Sequence, residues 1–342
     1  MNANPLPPSA KDLAILEHRF RLADMEHPFN QALFELASEQ LAREGASQLW
    51  HKKSSGGNQG EQLAPLDPVN IVQMEVKLPS MPTVLSELQA VTSNPDASAM
   101  AVGEVIARDT SLTAWVLKLV NSPFFGFSTK VDTVTRAVTL MGVQQIKTLA
   151  IGGMLQNLMV RLPDGVLNLD DFWRHSIATA LAAQGIWKIL GKEEAERLFV
   201  AGLLHDCGVL ALAYTAPEVA KGLTQAVHAA DKPRHLVEQE LISFDHARLG
   251  GMLLHRWNMP LSLVMAVLRH HQVENPERYL EACVVHVADI IAFAVTGNHD
   301  YDLVPPLDPV VWNILKLSPA NINFVVDGIR EKIGEMISAL RA

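Results

Sequence analysis

The sequence predicts an all-α protein, a multi-helical bundle with two helical subdomains. Three observations carry this. Hydrophobic residues make up 49% of the 342 residues but aromatics only 6%, and Ala, Leu and Met, which suit helices, prevail over β-branched runs. Apolar residues recur at three- and four-residue spacing along most of the chain. No stretch alternates apolar and polar residues as a half-buried strand would, and no internal repeat is visible.

Taken in order, the chain divides into five parts. Residues 1–51 read as an N-terminal helical extension: Leu13, Leu16 and Phe20, then Leu33, Leu36 and Leu41, keep helical spacing, with Pro28 between the two sets. The extension is too short for a core of its own and is expected to dock on the main body or on a partner. Residues 52–75 begin KKSSGGNQGEQ and read as a flexible linker. Residues 76–164 form the first helical subdomain. Pro79 and Pro82 lead to a helix near Thr83, helices follow over 98–107 and after Asp109 or Thr110, and Gly142 splits 132–141 from 142–160. The loop FFGFSTKV reads as exposed and apolar, with packing of its rings between the two halves as the alternative.

Residues 165–300 form the second subdomain. Asp170 or Asp171 caps 172–190, which Gly191 closes, and one buried helix is expected over 194–213. Helices are also expected over 216–230, 232–241, 246–257 (capped by Asp245), 261–271 (opened by Pro260) and 277–296. Residues 301–342 form a C-terminal tail ending in a helix over 320–340.

Charge and cysteine content narrow the function classes. The 28 Lys and Arg against 37 Asp and Glu leave a net charge of −9. A general nucleic-acid surface needs a basic excess, so direct nucleic-acid binding is not expected. Cys207 and Cys283 lie in apolar helical patterns and make no disulfide framework, which suits a reducing cytoplasm. The N-terminus lacks the basic and apolar regions of a secretory signal. The apolar stretch 282–295 carries His286 and Asp289 and is too short to span a bilayer. A cytoplasmic protein without a membrane partner is the expectation.

One stretch stands out. In LFVAGLLHDCGVLALA (198–213), His205 and Asp206 sit side by side within an otherwise apolar helix. Burying an imidazole and a carboxylate costs several kcal/mol unless each is paired or bound to a metal. The pair is therefore either satisfied by hydrogen bonds or part of a metal site. Nine of the thirteen histidines fall between His175 and His286. His228 and His235, in polar stretches, read as solvated, and His255 as a helix C-terminal cation. His286 and Asp289, at i and i+3, are close enough for a local hydrogen bond. An ordered set remains: His175, then His205-Asp206, then His246, then His270-His271, then Asp289, each group on a separate expected helix. A helical bundle can aim such side chains at one centre. Imidazole and carboxylate without thiolate suit Fe, Mn or Zn, as one or two divalent ions.

Several motifs in order resemble the HDOD family, the HD-related output domains of bacterial signalling proteins. They are LPSMP (78–82), SNPDAS (93–98), VIARDTSL (105–112), LKLVNSPFFGF (117–127) and TRAVTLMGVQQIK (135–147). DFWRHSIATA (171–180), AGLLHDCGVLAL (201–212), FDHARLGGMLLHRWNMP (244–260), RHHQ (269–272) and HVADIIA (286–292) follow. The resemblance covers about 76–300. It implies an all-helical bundle related to the HD phosphohydrolases, with metal-binding positions at His175, His205, Asp206, His246, His270, His271 and Asp289. Two departures from the related HD-GYP phosphodiesterases bear on activity. Val209 stands where those enzymes carry a phosphate-contacting Lys, and QVENPERYL stands where they carry Gly-Tyr-Pro.

Three functions are consistent with these residues. The first is a bacterial signalling module that works by binding, with other signalling proteins or a nucleotide second messenger as partner. The second is a metal-dependent phosphohydrolase acting on a nucleotide or phosphodiester, in which Asp206 bridges the metals or orients a water. The third is a structural metal with no open coordination position. Arg174 and Arg269 adjoin proposed ligands, but neighbouring residues on a helix point about 100° apart, so neither is given a role.

Overall fold

Polar caps set the helix starts that position the site. In the computed structural model, which describes residues 9–44, 67, 69, 83–92, 94, 97–122, 125–159, 162, 165–230, 232–296 and 303–341, all regular structure is helical. Ser9 and Asp12 form a capping box at the start of α1 (Ala10–Arg19), and Pro28 opens α2 (Pro28–Glu44). After α3 (Thr83–Thr92), Ser98, Asp109 and Thr133 cap α4 (Ala99–Ala107), α5 (Thr110–Val120) and α6 (Val134–Met141). Gly142 separates α6 from α7 (Val143–Met159). The expected linker over 52–75 falls almost wholly outside the described residues, and the Pro79 and Pro82 signals lie outside them.

In the second half, α8 (Leu169–Ile189) starts earlier than expected, because Asn168 rather than Asp170 or Asp171 takes the cap and accepts from both their N–H groups. Then come α9 (Ala195–Leu204), α10 (Cys207–Thr215), α11 (Pro217–Ala229), α12 (Arg234–Ile242), α13 (His246–Arg256), α14 (Leu261–Arg269) and α15 (Leu280–Thr296). The chain closes with α16 (Pro309–Leu315) and α17 (Pro319–Arg341).

The single helix expected over 194–213 is broken. A turn at His205–Asp206, with Asp206 at φ −97° and ψ 15°, divides it into α9 and α10. In an unbroken helix the two side chains would diverge by about 100°; the turn lets both face one interior point. The stretch Ala195–Thr215 is apolar and long enough to cross a membrane by composition, yet 89% of that window is buried inside the protein. It is a core element.

One hydrophobic cluster runs from Leu16 in α1 to Ile337 in α17. At its centre α8 packs on α9, α15 and α17, α10 packs on α13, α13 on α14, and α14 on α15. The extension docks on this body: α2 packs on α15 and α17, and the buried Arg19 guanidinium donates to the Phe293 carbonyl. The loop expected to be exposed instead packs inward at Phe125, whose ring meets Phe199 of α9 edge-on at 5.9 Å. Phe127 stacks on Phe125, and Phe124 lies outside the described residues.

Candidate metal centre

Two glycines let the helices approach closely enough to build the site. Gly202, three residues before His205, faces α8: a Cβ there would lie 2.7 Å from the backbone of Ala180. Gly208, two residues after Asp206, faces α13: a Cβ would lie 2.0 Å from the His246 carbonyl oxygen. Only hydrogen atoms fit at these positions. They draw His175 on α8 and His246 on α13 to either side of the His205–Asp206 turn.

The structure brings all seven residues singled out in the sequence into one buried cluster. On one side, His175 Nε2 lies 3.2 Å from His205 Nε2 and 2.9 Å from Asp289 Oδ1. His205 Nε2 lies 3.3 Å from Asp206 Oδ2 and 3.4 Å from Asp289 Oδ1. On the other side, the second Asp206 oxygen, Oδ1, lies 3.0 Å from His246 Nε2 and 3.9 Å from His270 Nε2. His271 Nε2 lies 2.8 Å from His246 Nε2. Asp206 thus faces both halves, one oxygen to each. With metal–ligand bonds of about 2.0–2.2 Å, ligand atoms sit about 2.8–3.6 Å apart in tetrahedral or octahedral shells, which is the range most of these contacts occupy. Among the described residues, three groups could hold an ion: His175, His205 and Asp206; His246, His270 and His271; and His205, His270 and Asp289.

The hydrogen bonds behind the rings say what belongs between them. His205 Nδ1 is 2.7 Å from the Gly202 carbonyl and His270 Nδ1 is 2.7 Å from the Val267 carbonyl. A carbonyl only accepts, so both Nδ1 atoms donate and each neutral ring turns a bare Nε2 lone pair inward. At His205 that lone pair meets two carboxylate oxygens, which are also acceptors. The arrangement is repulsive unless a cation lies between them. In the metal-free protein a proton takes that part: burial lowers the affinity of His205 for a proton, but Asp206 and Asp289 outweigh it and push its pKa to about 10. His270 Nε2 is buried without a hydrogen-bond partner. The donor set, its spacing and this orphaned acceptor fit a divalent metal ion.

Several supporting residues carry no signal in the sequence pattern. Glu238, fully buried on α12, accepts from the His246 Nδ1–H at 2.6 Å and from the His246 backbone N–H at 2.8 Å. Burial raises its pKa, but His246 prevails and holds it below the usual value. His235, expected to be solvated, is buried and stacks on His271 with ring centroids 4.1 Å apart. Burial lowers its pKa to about 4, with His246 adding to the effect. His286 does not bond Asp289, its neighbour one turn away. Its Nδ1–H donates to the His270 carbonyl at 2.7 Å, and its Nε2 accepts from the Asp308 N–H at 3.2 Å. His255 is exposed in the last turn of α13. Arg269 turns to Glu274 and Tyr279.

The centre opens to one side. A cavity of about 480 Å³ reaches His175, Asp206, His246 and His271 and is otherwise lined by a mixture of apolar side chains, such as Phe172, Val209 and Leu303, and polar or charged ones, Lys232 and Arg234 among them. That volume is in the small-molecule range of about 300–1,000 Å³.

Comparison with known proteins gives one family. The HDOD domain model matches residues 78–273. Among solved structures, a candidate phosphohydrolase from Shewanella amazonensis SB2B is 28% identical, covers 79% of this chain and 97% of its own, and superposes with a TM-score of 0.60. An HDOD domain protein of unknown function from Geobacter sulfurreducens shares the fold at 21% identity, with 80% and 97% covered and a TM-score of 0.59. An uncharacterized protein of Treponema pallidum (strain Nichols) is 27% identical over 237 residues, 67% of this chain and 44% of the relative, so the match spans less than half of that protein.

Proposed function

Because the chain belongs to the HDOD domain family, we propose that it is a cytoplasmic bacterial signalling module whose His/Asp centre holds one or two divalent ions and binds a phosphorylated small molecule. The observation that carries this is the inward Nε2 lone pair of His205 set against Asp206 and Asp289. His175, His205, Asp206 and Asp289 are the proposed ligands of one ion, and Asp206, His246, His270 and His271 those of a second. Fe, Mn and Zn suit these donors. Other signalling proteins or a nucleotide second messenger are the partners proposed.

The chain's own residues hold the site in order. The Gly202 and Val267 carbonyls fix the tautomers of His205 and His270, and Glu238 fixes that of His246. Phe172, Val209 and Leu303 line the cavity beside the centre. A divalent ion at such a centre lowers the pKa of a bound water and polarises a phosphoester.

A second reading, hydrolysis of a nucleotide or phosphodiester, is favoured by the cavity, which leaves the centre accessible as a catalytic metal site requires. The Shewanella relative, described as a candidate phosphohydrolase, supports the same chemistry. In this reading Asp206, with one oxygen toward each half of the cluster, would help hold the metal and position a water.

Metal analysis of protein purified without chelator, beside the His205→Ala/Asp206→Ala variant, tests both. Bound metal in the parent and none in the variant is expected. A metal-free parent refutes the proposal. Turnover of any member of a phosphodiester panel that includes cyclic-di-GMP selects hydrolysis; binding without turnover selects the signalling module.

A further inference from the structure

The cavity over the His/Asp centre has further cationic lining away from the proposed ligands. Lys232, in the connection from α11 to α12, and Arg234, at the start of α12, line it together with His175, Asp206, His246 and Val209. Both cations therefore face the same space as the His/Asp centre. The same cavity is also lined by Phe172, Val227, Leu303 and Pro305, apolar side chains suited to the body of a small organic molecule.

We propose that Lys232 and Arg234 form an anion subsite that grips the phosphate of a small phosphorylated ligand with an apolar body. Both side chains have carboxylate partners that a phosphate would displace or share. Lys232 Nζ is 2.5 Å from Glu240 Oε1, in a pair whose side chains are 49% and 56% exposed. Such solvated pairs hold loosely. Arg234 reaches Glu238 Oε1 and Thr224 Oγ1, each at 3.4 Å, and its guanidinium has five N–H donors in all. A planar donor fork beside a mobile ammonium is a chemistry suited to phosphate oxygens. The other acid in the wall besides Asp206 is Asp171.

The subsite rests on the proposed metal centre only for what happens at the far end of the ligand. Its cations bind a phosphate whether or not metal is present, which separates the two claims. The test titrates phenyl phosphate into the full chain by calorimetry, in chelator-treated and metal-loaded form, with metal content measured alongside. Lys232→Gln is expected to weaken binding about tenfold in both forms, with folding and metal content unchanged, and Lys232→Arg to restore it. Glu240→Gln releases Lys232 and is expected to tighten binding about two- to fivefold, a gain that a purely structural ion pair would not give. Arg234→Gln is expected to weaken binding with metal content intact; a fall in metal content instead removes Arg234 from the subsite and makes it a support of Glu238. No phenyl phosphate binding by the parent, unchanged binding in Lys232→Gln, or weaker binding in Glu240→Gln overturns the proposal. Lysine-dependent binding by a parent that holds no metal supports the subsite and refutes the metal centre alone.

Discussion

Replacing Glu238 by Ala tests how much of the centre depends on a residue that does not face its interior. Glu238 is fully buried, and its carboxylate serves the His246 Nδ1–H, the His246 backbone N–H and Arg234. Truncation leaves two buried donors of His246 without an acceptor, at about 1–3 kcal/mol each. Arg234 loses its carboxylate but is a quarter exposed and regains water, so its share is small. The sum agrees with the about 3–5 kcal/mol typical of breaking a buried charged pair from one side. Urea unfolding of chelator-treated protein should register that loss. Glu238→Ala also frees the His246 ring to rotate, and the loss of such outer hydrogen bonds costs about 10–100-fold in metal affinity. A competition titration with a chromogenic chelator measures it. Glu238→Gln, which retains an acceptor oxygen and the volume, should fall between parent and Ala in both assays. An unfolding free energy within about 1 kcal/mol of the parent, together with unchanged metal affinity, would refute the reasoning.

Other predictions follow from particular contacts. Gly208→Ala drives a Cβ to 2.0 Å from the His246 carbonyl, so α10 and α13 must part; a loss of about 3 kcal/mol or more and of bound metal is expected, and a normal melting temperature with full metal content would contradict it. Chelator-treated protein should lose stability as pH rises from about 6.5 toward 10. His205, raised to about 10, and His246, also raised, contribute fully below their unfolded pKa and lose that contribution as pH passes their folded values. Metal affinity should move the opposite way, rising with pH as the ion displaces the His205 proton; thermal melts and metal titrations from pH 6.5 to 9.5 compare the two signs. Arg19→Ala should cost about 1.5–3 kcal/mol by removing a buried charged donor from the Phe293 carbonyl, with denaturant unfolding as the readout.

The parts of this molecule that the sequence makes legible are those governed by local chemistry. Asp109 and Asp245 at helix starts, Gly191 at a helix end and the spacing of apolar residues each act within a turn or two. His205 and Asp206 stand out because a charged pair in an apolar stretch is conspicuous at short range. The break between them was not legible: nothing in LLHDCGV marks a turn, and the kink arises because side chains from α8, α13 and α15 converge on that point. Glu238 and His235 were missed because α12 (RHLVEQELI) mixes charged and apolar residues without a clear face, so its burial is decided by α11 and α13 packed against it. Gly202 and Gly208 did leave a trace. A glycine costs a helix about 1 kcal/mol against alanine, and two of them bracketing a His-Asp pair in apolar helices imply another backbone pressed close on each side. Lys232 and Arg234 are charged residues in a polar stretch, and only the fold brings them to the same cavity as the ligands.

The staple at Arg19 changes what counts as one molecule. Its side chain donates to the Phe293 carbonyl, and its own carbonyl accepts from the Val304 N–H at 2.9 Å, while Phe20, Phe29 and Leu33 are buried. The first two helices are thus part of the body's own core, and a chain lacking them would leave the surfaces around Phe293 and Val304 without their partners.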